Sequence, residues 1–266
     1  MKRTVAAELE ITADAECELE LQIAVARVPG LEVTEELQIV TDQGRVEPVE
    51  VSVPHGGRLH LVTLPAGSSH LTYEATIDGR AEAPGVDAAD VSVFRRPSRY
   101  ATSDTFGDFA VSEFGSVHDG DLLDAVSSWV GTHLDYVPGS SGPTDGATET
   151  LQQRKGVCRD YAHLVIAILR ALSVPARLVA VYAPGCDPMD FHAVVEAHVA
   201  GGWHVVDATA LAPRSSLVRI ATGRDAADTA FMSTVRGLAT LQSSTVTAVV
   251  DGQLPDDDLT QLVQIS

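Results

Sequence analysis

The chain has 266 residues, 45% of them hydrophobic and 21% charged, which is ample for packed cores and argues against wholesale disorder. Its formal net charge is −19. That excess of acid excludes a nucleic-acid backbone or an anionic membrane surface as the natural partner, since both need a basic patch to neutralise them. Cys17, Cys158 and Cys186 are too few and too odd in number for a disulfide framework, so a reducing cytoplasm is the expected setting.

The N-terminal MKRTVAAELE starts with two basic residues but continues without an apolar run, so no secretory leader is expected. Nor does any stretch reach the ~18 apolar residues of a membrane span. Up to about residue 85 the pattern has period two. ELEIT, CELELQIAVARV, EELQIVTD, VEPVEVSV, GRLHLVTLP and HLTYEATIDG are each bounded by Gly, Pro or Asp. Short alternating segments at this spacing predict antiparallel sheets packed as a sandwich, here assigned to residues 1–90, with AEAPGVDAAD as its end.

A different composition follows, assigned to a second domain over residues 91–266. Arg95, Arg96 and Arg99 make a basic cluster, best read as pairing with the acidic surface. Leu122, Leu123, Val126, Trp129, Val130 and Leu134 recur at helical spacing. DYVPGSSGPTDGAT is a Gly/Pro/Ser loop, a candidate lid. CRDYAHLVIAILRALSV is a strongly apolar helix that Pro175 stops. ARLVAVYAP reads as a strand, DFHAVVEAHVAGGWHVVDAT as a hairpin turning near Gly201 and Gly202, and SSTVTAVVDG as a late strand. Helices followed by antiparallel strands define an α+β fold.

Chemistry concentrates around GVCRDYAHLV. Gly156 is expected to let the chain turn into the helix, with Cys158 at the helix N-terminus. Unpaired N–H groups and the positive end of the helix dipole there favour a thiolate, and the Cys158 N–H would face an oxyanion. A thiolate nucleophile needs a partner that is first base and then acid, chemistry open to a histidine; His192 at the start of the hairpin is a candidate, with a hydrogen-bonded strand histidine as the alternative reading. Asp207 lies on the returning strand. Hairpin parity puts His192 and Asp207 on one face. A turn at Val199–Ala200 would set them directly opposite, whereas a turn at Gly201–Gly202 would set Asp207 opposite Glu196, the alternative third member.

QQRKGVCRDYAHLVIAILRALSVPARLV, FHAVVEAHV and WHVVDAT together resemble the bacterial transglutaminase-like family of papain-like cysteine enzymes. The resemblance spans roughly residues 90–230 by motif, and the N-terminal β-domain matches one bacterial branch in architecture. It implies Cys158 as nucleophile, His192 as general base and Asp207 as the group that orients it. Val194 stands where the family often has Trp, and Ala208 where it often has Pro, which touches substrate preference more than the triad. The resemblance also implicates Tyr136 near the active site as a second oxyanion donor, with Gln152 and Gln153 as the papain-like option; Arg224 and Asp225 are expected at the cleft border.

The expected function is acyl transfer on a peptide or protein amide through a Cys158 thioester. Water is the default acceptor, with transamidation to an amine or a non-catalytic binding module as alternatives. No cofactor is expected. His192, His198 and His204 recur every six residues along strands, so they predict no metal cluster.

Overall fold

In the computed structural model, which describes residues 1–265, the period-two segments form strands. They are β1 (Arg3–Ala13), β2 (Cys17–Leu21), β3 (Leu31–Thr41), β4 (Gly44–Arg45), β5 (Val49–Ser52), β6 (Arg58–Leu64) and β7 (Gly67–Gly79). Along β1 every second side chain is buried, from Arg3 through Val5, Ala7, Leu9 and Ile11 to Ala13, which is how a strand with one face on a core must read. Leu9 and Ile11 meet Leu19, Leu21, Leu64, Leu71 and Ile77 in one apolar core between two sheets. Burying each such side chain is worth about 1.5–3 kcal/mol.

The chain then leaves the sandwich. Asp87 caps α1 (Ala88–Val93) by accepting from the Ala89 N–H at 2.8 Å, so part of the segment read as a domain end is helical. There follow α2 (Gly107–Phe114), α3 (Asp119–His133), β8 (Asp135–Tyr136), α4 (Ala147–Gln153), β9 (Lys155–Gly156) and α5 (Cys158–Ala171). In α5 every residue from Asp160 to Arg170 is buried, the mark of a helix enclosed on all sides. It ends at Leu172, with Ser173 in the left-handed conformation (φ 65°) before Pro175.

Beside α5 lies an antiparallel sheet of β10 (Ala176–Tyr182), β11 (Phe191–Val199), β12 (Gly202–Val206) and β13 (Val218–Gly223), in the order β12-β11-β10-β13. Val195, Ala197 and Val206 pack with α5, while Val194 and Val205 face a second apolar cluster on the other side. Next come α6 (Ala226–Thr229), β14 (Met232–Arg236) and β15 (Ala239–Val250).

The last two strands correct the division at residue 90. β15 pairs antiparallel with β1, from Arg3 opposite Val250 to Ala13 opposite Ala239, and β14 pairs with β2. The sandwich is therefore built from both ends of the chain, as sheets β15-β1-β7-β3-β4 and β14-β2-β6-β5, and the α+β part is inserted into it. Tyr182, Val218, Ile220 and Ala221 join the sandwich core, so the two parts share apolar packing. Period-two patterning reveals a strand but not its partner, so the sequence of β15 alone could not place it beside β1.

Candidate active site

Three structural devices converge on the sulfur. Cys158 is the first residue of α5, half-buried and unoxidised. The residue before it, Val157, has no side-chain acceptor; its carbonyl takes the Asp160 N–H at 2.8 Å, and no side chain of the N-cap takes the Cys158 N–H. The two-residue parallel bridge between β8 and β9 sets Tyr136 beside Gly156, and the Val137 N–H donates to the Gly156 carbonyl at 2.9 Å. The Tyr136 hydroxyl thereby comes beside the Cys158 thiol and within hydrogen-bonding reach of the Cys158 backbone N–H. Burial, and then the neighbouring sulfur charge, push the Tyr136 pKa upward, so the phenol stays a neutral O–H donor.

The third device is the hairpin. Its two-residue turn is Ala200–Gly201, both at positive φ (49° and 79°), with Val199 opposite Gly202 and Val195 opposite Val206. This register falls between the two considered from sequence. Asp207, one residue past β12, lies diagonally from His192 on the same face, a separation that cross-strand neighbours can bridge. His192 Nε2 and Asp207 Oδ2 are 2.9 Å apart, both side chains almost wholly buried, and no bulge is required.

With Nε2 bonded to Asp207, Nδ1 is left for the Cys158 thiol, which is within hydrogen-bonding reach of the imidazole. The Cys158 sulfur also lies 4.0 Å from the Phe191 carbonyl oxygen, at the residue before His192. Burial opposes a charged His192, but the Asp207 charge and hydrogen bond, with Cys158, outweigh it and hold its pKa well above the ordinary value. Burial would likewise raise Asp207, yet His192 and Thr209 hold it below the usual carboxylate range. The combination is an imidazolium–carboxylate pair turned toward a sulfur at a helix N-terminus, the environment that stabilises a thiolate.

Thr209 was not anticipated. Its N–H and hydroxyl both donate to Asp207 Oδ1, at 2.9 and 2.6 Å, fixing the carboxylate that faces His192. The signal was present in Asp-Ala-Thr, since an Asp that bonds the backbone two residues on is a common turn device. Cys186 was read only as a sparse thiol. It is buried close enough to the triad to feel the charges of His192, Cys158 and Asp207.

Other expected residues lie elsewhere. Glu196 is fully buried between Arg177 Nη2 (2.7 Å) and Arg219 Nη2 (2.6 Å), which occupy it completely. Of the two residues expected at the cleft border, Arg224 meets α5 near its C-terminal end and Asp225 lies beside His163, five residues after Cys158. Arg170 donates to the Arg224 carbonyl at 2.7 Å, and Arg170 is twelve residues beyond Cys158, or about 18 Å along the helix axis. The Arg224 guanidinium pairs with Asp228 at 2.8 Å. Asp225 accepts from the Tyr100 N–H at 2.8 Å and from the Ala227 N–H at 2.9 Å. The adjoining Ala226 N–H donates to His163, whose pKa burial lowers to about 3, so it acts as a neutral acceptor. Gln152 and Gln153 sit at the end of α4. Cavities of about 400, 410 and 490 Å³ lie away from the triad, lined by none of Cys158, His192 and Asp207.

A family model described as the transglutaminase-like superfamily matches residues 112–208, the span that contains all three residues. A crystal structure from Cytophaga hutchinsonii, named as a candidate cysteine protease, is similar over 98% of this chain and 96% of that one. Its identity is 31% and its TM-score 0.89. The chain belongs to the transglutaminase-like superfamily. It is also 31% identical over 114 residues to the uncharacterised protein ML0607 of Mycobacterium leprae. That match covers 40% of this chain, which spans only 41% of the curated relative. The sandwich thus has a counterpart in a solved relative of this transglutaminase-like protein, while the family model is confined to the inserted part.

Proposed function

We propose that this protein is a thiol-dependent acyl-transfer enzyme that cleaves amide bonds of a peptide or protein. The observation that carries the reading is the 2.9 Å His192–Asp207 contact, aligned with Cys158 at the N-terminus of α5. The name of the Cytophaga hutchinsonii relative agrees with water as acceptor.

The chemistry follows from the groups present. The Cys158 thiolate attacks the amide carbon, and the carbonyl π electrons move onto oxygen. In this reading that oxyanion is held by the Cys158 backbone N–H and the Tyr136 hydroxyl, the two donors beside the sulfur. Collapse expels the amine, which takes its proton from the His192 imidazolium, and a thioester remains. Neutral His192 then takes a proton from water, hydroxide adds to the thioester, and Cys158 leaves as thiolate while His192 is again protonated. Asp207 stays ionised throughout and fixes the imidazole orientation. An amine in place of water gives transamidation by the same steps. A reducing, cytoplasmic setting belongs to this reading, because Cys158 must stay a free thiol.

The test is incubation with fluorogenic peptide amides, with and without a primary amine, followed by mass spectrometry. Free acid product and a Cys158 acyl adduct support hydrolysis. An amide product in the presence of amine shifts the reading to transamidation. Wild-type protein that neither turns over nor labels at Cys158 would sink it.

A further inference from the structure

Asp160 has no exposed surface, lies two residues after Cys158, and has no part in the steps above. Its Oδ2 accepts two hydrogen bonds from different segments. One comes from the Val157 backbone N–H at 2.8 Å, in the turn that delivers Cys158. The other comes from the Ser141 hydroxyl at 2.6 Å, in the 137–146 loop. Arg159 adds a parallel tie, donating through Nη2 to the Gly142 carbonyl at 2.8 Å and to Ser141 Oγ at 3.3 Å, and lying 3.6 Å from Asp160 Oδ1. Asp160 and Arg159 thus clasp the loop that begins immediately after Tyr136.

Gly156 reports how close this clasp is. Its φ is not in the left-handed region, so a sharp turn does not explain the glycine. A Cβ there would stand 2.5 Å from the Asp160 Cβ and 2.8 Å from its Oδ2, and both contacts are forbidden. The Gly-x-Cys spacing is therefore a fit between Gly156 and the Asp160 carboxylate, and the same carboxylate reaches across to Ser141.

We propose that Asp160 is a positioning residue that latches the 137–146 loop to the nucleophile turn and so holds Tyr136 against Cys158 during acyl transfer. The proposal rests on the acyl-transfer reading for its consequence, but the latch itself is measurable without turnover. Without Ser141 the loop loses its tie to Asp160, Tyr136 is less firmly held, and the oxyanion loses part of one donor. The sulfur and His192 are untouched by that change. A small alkylating reagent forms no oxyanion, so the latch should matter to acyl transfer and not to alkylation.

Ser141→Ala and Asp160→Ala should be compared with wild type by amide hydrogen exchange, by iodoacetamide labelling of Cys158, and by peptide-amide turnover. Ser141→Ala is expected to speed exchange in residues 138–146 about tenfold, to lower turnover about tenfold, and to leave melting temperature and alkylation rate unchanged. Asp160→Ala is expected to speed exchange there further and to slow alkylation, because it also frees the Val157 N–H. Unchanged exchange in the loop of Ser141→Ala would overturn the latch, whatever Asp160→Ala does. So would a loss of alkylation, exchange protection and melting temperature together in both variants, which describes a core residue and no positioning. Failure of the acyl-transfer reading shows separately, as wild-type protein without turnover, while the exchange result still decides the latch.

Discussion

Two buried ionic clusters share one face of β11, four residues apart, and they are built differently. At Glu196 both carboxylate oxygens are taken, by Arg177 and Arg219, and Arg177 also lies 4.0 Å over the Trp203 ring. At His192 one nitrogen is taken by Asp207 and the other is left facing a sulfur. The first cluster is saturated, so it can only hold the sheet and its neighbours in place. The second keeps an open valence beside a nucleophile. Burial and charge are common to both, and the unfilled position separates a site from a scaffold.

Crossed substitutions should break the two apart. His192→Ala should lower peptide-amide turnover at least about a thousandfold and slow iodoacetamide labelling at pH 6, and it should also cost stability in urea, because Asp207 is left buried without its imidazolium. Glu196→Ala should leave labelling of the folded protein at the wild-type rate, while Arg177 and Arg219, buried without their carboxylate, cost about 3–5 kcal/mol in urea unfolding. If the folded Glu196→Ala protein labels poorly, the clusters are not independent.

Asp207→Asn sharpens the contrast through pH. Turnover should fall about a hundredfold or more, because an amide no longer selects the tautomer that presents Nδ1 to the thiol. The stability effect has a window. His192 is held above its ordinary pKa, so its share is complete below pH ~6.5 and lost as pH rises through the raised value. Asp207 is held below its ordinary pKa, so its share is present above pH ~3.9 and lost as pH falls through the lowered value. Urea titrations should therefore show the largest gap between wild type and Asp207→Asn between these limits and a shrinking gap in alkaline buffer. A gap that grows with pH would contradict the imidazolium pair.

Tyr136→Phe removes one O–H and leaves the ring against Tyr161 (5.9 Å between centroids). A fully enclosed oxyanion donor is worth about a hundredfold or more in kcat. Tyr136 is 41% exposed, so about tenfold is expected, with KM nearly unchanged. A rise in KM at constant kcat would move Tyr136 from the oxyanion to substrate binding.

Much of this site was legible because its signals are local. A helix that starts at Cys158 and strand parity that pairs His192 with Asp207 depend on neighbouring residues, and the structure bears out both. The register needed the turn conformation at Ala200, a positive-φ alanine that no composition rule favours over Gly201–Gly202. What sequence could not supply was long-range. β15 lies more than 220 residues from β1 wherever the two pair, and the latch joins Ser141 to Asp160 across a helix and a bridge. Gly156 was read as a turn glycine because local reasoning sees backbone freedom and not the carboxylate that crowds it.

Arg224 makes the smallest prediction and the cleanest control on that lesson. Its guanidinium is half exposed and its Asp228 partner is four residues on, so the pair is a surface one and screened by solvent. Arg224→Ala should change unfolding free energy by no more than about 0.5 kcal/mol, and less at high salt. Turnover and Cys158 labelling should stay at the wild-type level, because the main-chain carbonyl that receives Arg170 survives the substitution. A tenfold fall in kcat/KM would return Arg224 to the substrate cleft, and the far end of α5 would then have to communicate with Cys158 through some arrangement other than the one the hydrogen bonds describe.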